Sequence, residues 1–600
     1  MTNDEIANLL ATSIDSNDND NVQQIPRHFD GRDYTIENLA LDQRETLVHV
    51  LQVLRQYCDG QIENEDEVFR LTVAGGAGSG KSTWINTLVA CVRKMFPDDD
   101  TVSVFAPTGN AAFNAGGQTI HAGCMLPVSS NTIEMSGMKQ KVLLKRFSKT
   151  LIIIIDERSM LDATVLGTMK HYMQQCAHGG KKLDHPWGGI PIIILVGDDY
   201  QLPPIKPGAF YAKTKWKTKI TSQASIREQG LLEFLEIGQK VIFLDGEKRV
   251  NQGQDTFKRI LRSIRCEDDT LTLLESDKER LLQLHLSHIS FTDAQRKQIQ
   301  DEALYVFANK EPRDHLNNRK LKQANTETNP VARIKSKTVK PSGRQVLGDK
   351  HFDLDRYPNK VLICKGARVT LNGCNLAPKQ GLYHGSLGIV RDIVYHTGQS
   401  PSTDDFPAYV LVEFSHYSGR ELINGMPKCV PVVPHTVRCS FNCCSRTYIP
   451  LALAYGKTAH TFQGQTVGPT PPGRPQNPIK KIIVDPGKRQ FEGTNVGLFY
   501  QLLSRATTIG DQHDKFSSAL YFDGDNFTAH RFQKLTMKND TEMYKMAALR
   551  KKWVGYLKRN KLPRGQWKQK DMEEVIHWAN TTVIHHDELE KLIKKKTARK

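Results

Sequence analysis

The hydrophobic positions of this chain become periodic from residue 39 onward. Residues 39–54 carry apolar side chains at helical spacing, and residues 68–74 then alternate like a strand that leads into a glycine-rich loop. Three further short runs rich in β-branched residues follow at 102–106, 151–155 and 190–196. Runs of this kind, separated by helical or loop stretches, are typical of a parallel sheet that is covered on both faces. We therefore predict that the first domain has an α/β fold.

A second set of strand-like runs, at 241–244, 304–308 and 481–485, predicts a second α/β domain. A stretch of different character interrupts this set. Between residues 363 and 450, alternating runs are punctuated by Gly and Pro and show little helical pattern. This stretch predicts a small all-β, barrel-like domain inserted into the second α/β domain. The polar segment 325–350 before it is predicted to be a mobile loop.

The net charge of the chain indicates what kind of partner it binds. Lys and Arg number 82 against 65 Asp and Glu, which gives a net charge of +17 and a pI near 9.2. A field of this sign attracts polyanions, so nucleic acid is the expected partner; surface charge that only keeps the protein in solution is the alternative. Residues 550–600 contribute fifteen Lys or Arg against six Asp or Glu. Because part of this tail is helical with one apolar face, a packed or partner-binding helix and a DNA-binding helix are both open.

The composition also excludes several classes of protein. No apolar run approaches the roughly 18 residues that span a bilayer, so no membrane segment is expected. The 11 cysteines are sparse and scattered, which favours a reducing, intracellular environment over a disulfide scaffold. Cys439, Cys443 and Cys444 with His435 lack the paired spacing of structural zinc sites, and we expect buried thiols there. The first 20 residues hold five acidic side chains and no Lys or Arg, unlike a secretory signal or a transit peptide.

The glycine-rich loop matches a phosphate-binding motif. Residues 75–82 read G-G-A-G-S-G-K-S, follow an apolar strand and open a helix, which is the context that identifies a P-loop. In such a loop the backbone N–H groups surround phosphate oxygens, Lys81 reaches the β and γ phosphates, and Ser82 offers its hydroxyl to Mg²⁺. The residues predicted to bind ATP here are Gly75, Gly76, Ala77, Gly78, Ser79, Gly80, Lys81, Ser82 and Thr83.

Two acidic residues follow another buried strand. Asp156 and Glu157 come directly after the apolar run 151–155. A magnesium nucleotide needs a carboxylate close to the P-loop serine, so Asp156 is the predicted Mg²⁺ ligand beside Ser82. Adjacent side chains at a strand end point to different neighbours, and Glu157 is the predicted general base that activates the attacking water.

The run 190–196 ends in a third polar segment, Gly197-Asp198-Asp199-Tyr200-Gln201-Leu202-Pro203-Pro204. A neutral amide at this place can sense the γ-phosphate without competing with it as an anion. We predict that Gln201 couples the state of the nucleotide to the rest of the protein.

The order and wording of these motifs resemble the superfamily-one helicases of the PIF (petite integration frequency) type, relatives of the RecD helicase, over residues 39–525. The resemblance implies that Gln43 reads the adenine ring of ATP. It also implies that residues 107–112 and 117–121 form a motif that lets single-stranded DNA lie close to the backbone. The residues that it assigns to DNA in these segments are Thr108, Gly109, Asn110, Thr119 and His121.

Two later segments resemble the fifth and sixth motifs of these helicases. Residues 503–507 include Arg505, which the resemblance makes an arginine finger that senses the γ-phosphate and stabilises transition-state charge. Arg249 is the second such candidate, although Val250 follows it where the family usually has Gln.

The fifth motif, residues 458–466, implies DNA contacts from His460, Phe462 and Gln463. It departs from the family because it reads His-Thr-Phe-Gln-Gly where the family usually reads His-Lys-Ser-Gln-Gly. This departure puts phosphate contacts from the loop in doubt. We expect Phe462 to stack on a base instead, as exposed aromatic side chains do in single-strand channels.

The predicted fold class is therefore α/β: two RecA-like P-loop NTPase domains with a small inserted β-barrel domain and a basic helical C-terminal tail. The predicted segments are a disordered acidic lead at 1–35, the first RecA-like domain at 36–240, the second at 241–362 and 451–530, the insertion at 363–450 and the basic extension at 531–600.

The function that the resemblance implies is an ATP-dependent DNA helicase that moves 5′ to 3′ on single-stranded DNA and unwinds duplexes in DNA repair, recombination or telomere maintenance. Single-stranded and forked DNA are the expected partners, and proteins could bind at the tail. We expect a monomer, nuclear if its source is eukaryotic. The alternatives are a mobile-element or viral helicase of the same type, an RNA motor, and a nucleic-acid-binding scaffold with a decayed ATPase.

Overall fold

The computed structural model describes residues 34–598. The segments within this range that it does not describe are 62–67, 127–134, 178–184, 205–209, 213–224, 247, 266–272, 340–353, 355–356, 400–404, 439–443, 471–476, 489–494, 512–513 and 534–540. The predicted acidic lead lies outside the described residues except for residues 34 and 35, and so do Cys439 and Cys443. The described residues fall into two compact units, Glu302–Phe462 and the rest of the chain.

The larger unit begins with alternating helices and strands. The helices up to residue 302 are α1 (Leu41–Cys58), α2 (Lys81–Met95), α3 (Gly109–Asn114), α4 (Ile120–Gly123), α5 (Gly137–Phe147), α6 (Ala163–Cys176), α7 (Ile226–Ile237), α8 (Asp255–Arg265), α9 (Glu275–Leu282) and α10 (Asp293–Glu302). The strands are β1 (Phe69–Gly75), β2 (Val102–Ala106), β3 (Gln118–Thr119), β4 (Ile152–Ile155), β5 (Ile192–Gly197) and β6 (Val241–Leu244). Short 3₁₀ turns lie at Ile36–Asn38, Arg158–Met160, Pro186–Gly189 and Phe210–Ala212.

These six strands form one parallel sheet in the order β3-β2-β4-β5-β1-β6. The isoleucine-rich strands β4 and β5 are fully buried at its centre, as expected for a sheet covered on both faces. The prediction of an α/β fold with a parallel sheet is confirmed. The predicted boundary at residue 241 is wrong, because β6 pairs with β1 and belongs to this first sheet.

In the smaller unit the elements are mostly strands: β7 (Leu304–Phe307), α11 (Lys310–Ala324), β8 (Ala332–Lys335), β9 (Lys337–Val339), β10 (Lys360–Ile363), β11 (Arg368–Leu371), β12 (Leu387–Val394), β13 (Tyr409–Phe414), β14 (Cys429–Val432), β15 (His435–Arg438), β16 (Ser445–Tyr448), β17 (Leu451–Leu453) and β18 (Gly456–Thr458). A 3₁₀ turn lies at Pro378–Gln380.

Antiparallel pairing dominates this unit. β14-β13-β12-β11-β17 form a five-stranded sheet, β15-β16-β9 a three-stranded sheet and β10-β8 a pair, while β7 and β18 pair in parallel. The predicted loop 325–350 is wrong where β8 and β9 lie. In β8 the side chains of Ala332 and Ile334 are buried and those of Arg333 and Lys335 are exposed, so the alternation of a half-buried strand was present in a polar segment.

The larger unit resumes after residue 462. It continues with β19 (Ile482–Asp485), α12 (Leu498–Leu503), β20 (Leu520–Phe522), α13 (Ala529–Gln533), α14 (Thr541–Arg559), α15 (Gln569–Thr581) and α16 (His586–Ala598), with a 3₁₀ turn at Lys515–Ser517. β19 and β20 pair in parallel. No helix of the described residues is long and apolar enough to cross a membrane.

The last helices pack on the first sheet's unit. Met572, Val575 and Ala579 of α15 and Leu589 and Ile593 of α16 are buried in the same apolar core as α1, α2 and strands of the parallel sheet. These residues recur every three or four positions, which is the spacing of one helix face. The tail therefore contains packed helices, and DNA binding by the tail stays a prediction.

We predict that Leu589→Ala lowers the free energy of unfolding by about 2–4 kcal/mol, because it removes a fully buried side chain and leaves a cavity. The matched control is Ile289→Ala, since Ile289 is 92% exposed in the same unit and its loss leaves no cavity. Urea unfolding of both variants checks the prediction. Equal stability of the two variants would contradict the packing of α16 on the core.

Candidate nucleotide site and nucleic-acid interface

The P-loop has a backbone that only glycine can adopt at two positions. Gly78 and Gly80 have φ of 84° and 85°. A Cβ on Gly80 would come 2.1 Å from Gln43 Nε2, and one on Gly78 would come 2.7 Å from Arg249 Cβ. Neighbouring side chains therefore close around the loop where glycines leave room, as expected for a phosphate-binding turn.

Lys81 lies within the curve of the loop. Its Nζ donates hydrogen bonds to the carbonyl oxygens of Gly75 at 2.9 Å and Gly76 at 2.8 Å. Burial lowers the pKa of its ammonium group, and the carboxylates of Asp198 and Glu157 oppose that shift. The ammonium group is thus held where a phosphate bound to the loop would meet it.

Gln43 supports the loop from helix α1. Its Nε2 donates to the carbonyl oxygens of Ser79 and Gly80, each at 3.2 Å. Its Oε1 accepts from the Ala40 N–H at 3.1 Å and from Lys248 Nζ at 3.0 Å. The predicted contact of Gln43 with adenine stays a prediction, because the protein itself already uses both ends of this amide.

The predicted metal ligand and general base lie at the carboxyl end of β4. Burial and the charge of Glu157 raise the pKa of Asp156 to about 7. Glu157 has φ 53° and ψ 46°, the left-handed region that a non-glycine residue enters only at a cost of about 1–3 kcal/mol. Such strain is typical of functional sites.

The donor set fits a magnesium nucleotide. Asp156 is a buried carboxylate whose charge a cation would stabilise, and Ser82 exposes its hydroxyl on the first turn of α2. The described residues contain no cluster of three or more His, Cys, Asp or Glu able to hold a metal. Mg²⁺ commonly takes one or two protein ligands, with substrate phosphates and waters completing its shell, so Asp156 and Ser82 are sufficient.

Asp198 is a central residue of the site. Its carboxylate accepts hydrogen bonds from the Tyr500 hydroxyl at 3.0 Å, from Arg265 at 3.1 Å and from the Tyr200 N–H at 3.2 Å. Burial alone would raise its pKa, but the positive charges of Arg265 and Lys81 and these hydrogen bonds hold the pKa below the ordinary value. Asp198 therefore stays ionised. The sequence reasoning gave it no role, although an acid at the end of a buried strand is the signal that found Asp156.

Tyr500 was missed because helix α12 carries no motif around it. Its hydroxyl accepts from the Ala77 N–H at 3.0 Å while it donates to Asp198. One side chain thus joins the P-loop, the end of β5 and the helix that precedes Arg505. Arg265 was missed for the same reason, since nothing in helix α8 distinguishes it from other basic residues.

The two predicted arginines both contact Ser504, and Arg249 also lies beside Gly78 of the P-loop. Arg249 Nη1 donates to the Ser504 carbonyl at 2.9 Å, and Arg505 Nη2 donates to the Ser504 hydroxyl at 3.3 Å. Arg505 is buried, and its Nε and Nη1 have no hydrogen-bond partner among the described residues. Burial, followed by the charge of Arg505, lowers the pKa of Arg249 to about 9. A buried guanidinium group with donors that no described residue satisfies, beside a second guanidinium group, fits the oxygens of a polyphosphate.

Gln463 lies among the predicted catalytic residues. It is buried, and its Nε2 donates to Glu157 Oε2 at 3.1 Å, Ser159 Oγ at 3.4 Å and Gln201 Oε1 at 3.4 Å. Gln201 in turn donates to Asp198 at 3.4 Å. The Nε2 end of this amide is thus used by the predicted general base and the predicted coupling residue, and the DNA contact of Gln463 stays a prediction.

Stacking of Phe462 on a base, predicted from the altered motif, is wrong. Its side chain is 1% exposed, so no base can reach the ring. Its N–H donates to the Thr458 carbonyl at 3.0 Å, which closes a tight turn and directs the ring inward. His460, in the same turn, is buried as well, and its contact with DNA stays a prediction.

The other predicted DNA-binding residues lie at one edge of the parallel sheet. β2 pairs with β3 through Ala106 and Thr119, so the segments that follow these strands are neighbours. Thr108 and Thr119 each cap a short helix by accepting a backbone N–H, and both stay partly exposed. Gly109 and His121 are partly exposed too, whereas Asn110 is buried. Contact of these five residues with DNA remains a prediction.

Comparison with known proteins identifies relatives of this chain. The family model for PIF1-like helicase matches residues 49–266. The ATP-dependent DNA helicase PIF7 of Trypanosoma brucei brucei is 27% identical over 466 residues, which cover 69% of this chain and 44% of that protein. The ATP-dependent DNA helicase RRM3 of Saccharomyces cerevisiae is 35% identical over 134 residues, 22% of this chain and 18% of that protein. These matches span less than half of either relative.

Solved structures share the fold. The Pif1 helicase from Candida albicans has a TM-score of 0.55 at 22% identity and covers 85% of this chain and 99% of its own. Bacteroides Pif1, described as bound to ssDNA, has a TM-score of 0.53 at 20% identity over 82% of this chain and 94% of its own. The resemblance that the motifs predicted is confirmed, and the chain is a relative of the PIF1-like helicases.

Proposed function

We propose that this chain is an ATP-driven motor that moves along single-stranded DNA and separates duplex strands, that is, a DNA helicase. The observation that carries the proposal is the buried guanidinium group of Arg505, whose Nε and Nη1 have no hydrogen-bond partner among the described residues, in the compact unit that also holds the P-loop. A motor uses such an arginine to stabilise the charge that develops on the γ-phosphate. A scaffold with a decayed ATPase has no reason to keep an unpaired charge buried at a cost in free energy.

The roles of the nucleotide-site residues follow from their contacts. When bound, ATP would supply the transferable γ-phosphoryl group, and Mg²⁺ would supply positive charge that stabilises its phosphates. Lys81 would hold the phosphates, and Asp156 and Ser82 would hold the metal. Glu157 accepts the proton of the attacking water, and Arg505 with Arg249 neutralises the developing charge.

Gln463 offers a route from hydrolysis to DNA. It donates to Glu157 and to Gln201, and it stands three residues after His460 in the predicted DNA-binding turn. A change at the γ-phosphate that moves Glu157 or Gln201 would therefore pull on this turn through one buried amide. Coupling of this kind is what turns an ATPase into a motor.

Two observations support DNA as the proposed track: the positive net charge of the chain and the names of its relatives. The chain has a net charge of +17, and its curated relatives carry the name ATP-dependent DNA helicase. We further propose 5′ to 3′ movement, action on forked DNA as a monomer, roles in repair, recombination or telomere maintenance, and nuclear location in a eukaryotic source. The antiparallel sheets of the smaller unit support a barrel-like insertion into the second of two RecA-like domains.

We expect Lys81→Ala to reduce DNA-stimulated ATP hydrolysis by at least about a hundredfold, because the cation at the β and γ phosphates is lost. Affinity for a fluorescent single-stranded DNA should change by less than about twofold, since Lys81 belongs to the P-loop and not to the segments predicted to contact the strand. A variant that keeps its ATPase activity would overturn the assignment of the site.

Tyr500→Phe should weaken ATP binding by about tenfold, because the Ala77 N–H and the Asp198 carboxylate both lose their hydroxyl partner. The control is Tyr521→Phe, which removes a buried hydroxyl that donates to the Phe516 carbonyl at 2.7 Å. Titration with a fluorescent ATP analogue measures both affinities. If the two variants bind ATP equally well, the Tyr500 hydroxyl does not link the P-loop to the end of strand β5 in a way that supports ATP binding.

Strand displacement tests the track and the polarity. We predict unwinding of duplexes that carry a 5′ single-stranded DNA overhang, and at least about tenfold less with a 3′ overhang, because a motor that steps in one direction loads productively on one side only. Replacing the overhang by RNA should abolish unwinding. Preference for the RNA overhang would favour an RNA motor, and a 3′ preference would reverse the proposed polarity.

A further inference from the structure

Helix α14 of the basic tail contacts the loop that carries Asp198 and Gln201. The Trp553 side chain is buried, and its Nε1–H donates a hydrogen bond to Asp199 Oδ1 at 3.1 Å. Asp199 is the residue between Asp198 and Tyr200, so the helix meets the site at its third polar segment.

Asp199 also binds the residue after the proposed general base. Arg158 Nε donates to Asp199 Oδ1 at 3.2 Å, and Arg158 Nη2 donates to the other carboxylate oxygen. Because Arg158 follows Glu157 directly, the Asp199 carboxylate links the segment of the base to the segment of Gln201. The Trp553 N–H is the third donor to this buried carboxylate.

A second residue of the same helix contacts the same loop. The Arg550 guanidinium group lies 4.8 Å from the centre of the Tyr200 ring. Arg265, which donates to Asp198, lies 4.6 Å from the same ring centre. Tyr200 is therefore packed against one arginine from the tail and one from the site, in contacts that are favourable for cations and aromatic rings.

Helix α14 also makes packing contacts that do not involve Asp199 or Tyr200. Phe210 stacks on Phe234 with ring centres 3.9 Å apart and meets the Trp553 ring edge-on at 4.7 Å. The Tyr556 hydroxyl donates to the Leu235 carbonyl at 2.9 Å. Beyond the helix, the Leu562 N–H donates to the Val241 carbonyl at 2.8 Å, so the chain extends the edge of the parallel sheet. Helix α14 can therefore stay in place when only the hydrogen bond between Trp553 and Asp199 is lost.

We propose that Trp553 and Arg550 are positioning residues for ATP hydrolysis, and that the tail helix is part of the outer layer of the ATP site. The inference rests on the proposed function. Trp553 and Arg550 act through Asp199 and Tyr200, which orient Glu157 and Gln201. Small displacements of a catalytic group cost rate more than they cost ground-state binding. The expected signature is a lower kcat for ATP hydrolysis at nearly unchanged KM.

Trp553→Phe isolates the hydrogen bond, since the ring stays and the N–H is lost. We expect kcat to fall about fivefold with KM for ATP changed by less than about twofold. The matched control is Tyr556→Phe, which removes a donor from the same helix that points to helix α7. Trp567→Phe is a second control, because Trp567 Nε1 has no hydrogen-bond partner among the described residues. Both controls should keep the wild-type kcat.

Arg550→Gln tests the second contact. It removes one positive charge from α14, and Lys551→Gln removes an equal charge from an exposed neighbour on the same helix. We expect kcat to fall about threefold only in Arg550→Gln, and Arg550→Lys, which keeps a cation beside Tyr200, to recover part of the loss. Thermal melting of all variants shows whether the helix stays in place.

The outcomes separate the two proposals. If the wild-type chain does not hydrolyse ATP, the proposed function falls and the inference falls with it. With an active wild type, an unchanged kcat in Trp553→Phe overturns the inference alone. A fall in kcat that Tyr556→Phe matches at the same loss of Tm would make the helix merely structural and would also overturn it. A kcat loss confined to Trp553 and Arg550 supports the positioning role.

Discussion

Charges that are buried at the carboxyl end of one sheet must be balanced against each other, and this balance determines the arrangement of the site. Asp198 is buried and ionised, and it is stable because Tyr500, Arg265 and the backbone of Tyr200 donate to it. A carboxylate without such donors would cost several kcal/mol. The P-loop, strand β5 and helix α12 are consequently held together through one carboxylate and one phenol hydroxyl.

The positive side of this balance needs a ligand. Arg505 is buried and keeps donor atoms that no described residue satisfies, and the half-buried Arg249 lies beside it. Under the proposed function, a bound polyphosphate would supply acceptors and negative charge for these groups. The same principle extends outward, because the buried Asp199 carboxylate collects donors from Arg158 and from Trp553 of the tail. The tail helix and the proposed ATP site are thus joined by buried polar contacts.

Sequence patterns predicted the parts of the site that lie at the ends of regular elements. The P-loop, Asp156 and Glu157 follow strands whose apolar runs are unmistakable, and the parallel sheet follows from the same runs. Tyr500 could not be predicted, since its role arises from groups distant in sequence. The prediction failed for Phe462 because solvent exposure in a loop depends on tertiary packing. Strand β6 was assigned to the wrong domain because a four-residue apolar run does not specify its sheet.

A crystal structure with Mg²⁺, ADP and aluminium fluoride tests most directly whether Arg249, Arg505 and the P-loop form one ATP site. We predict that Arg505 Nε or Nη1 lies within hydrogen-bond distance of a fluoride, that Arg249 approaches the same group, and that Glu157 contacts the water in line with it. An aluminium fluoride bound to Lys81 while Arg505 remains on Ser504 alone would contradict the composite site.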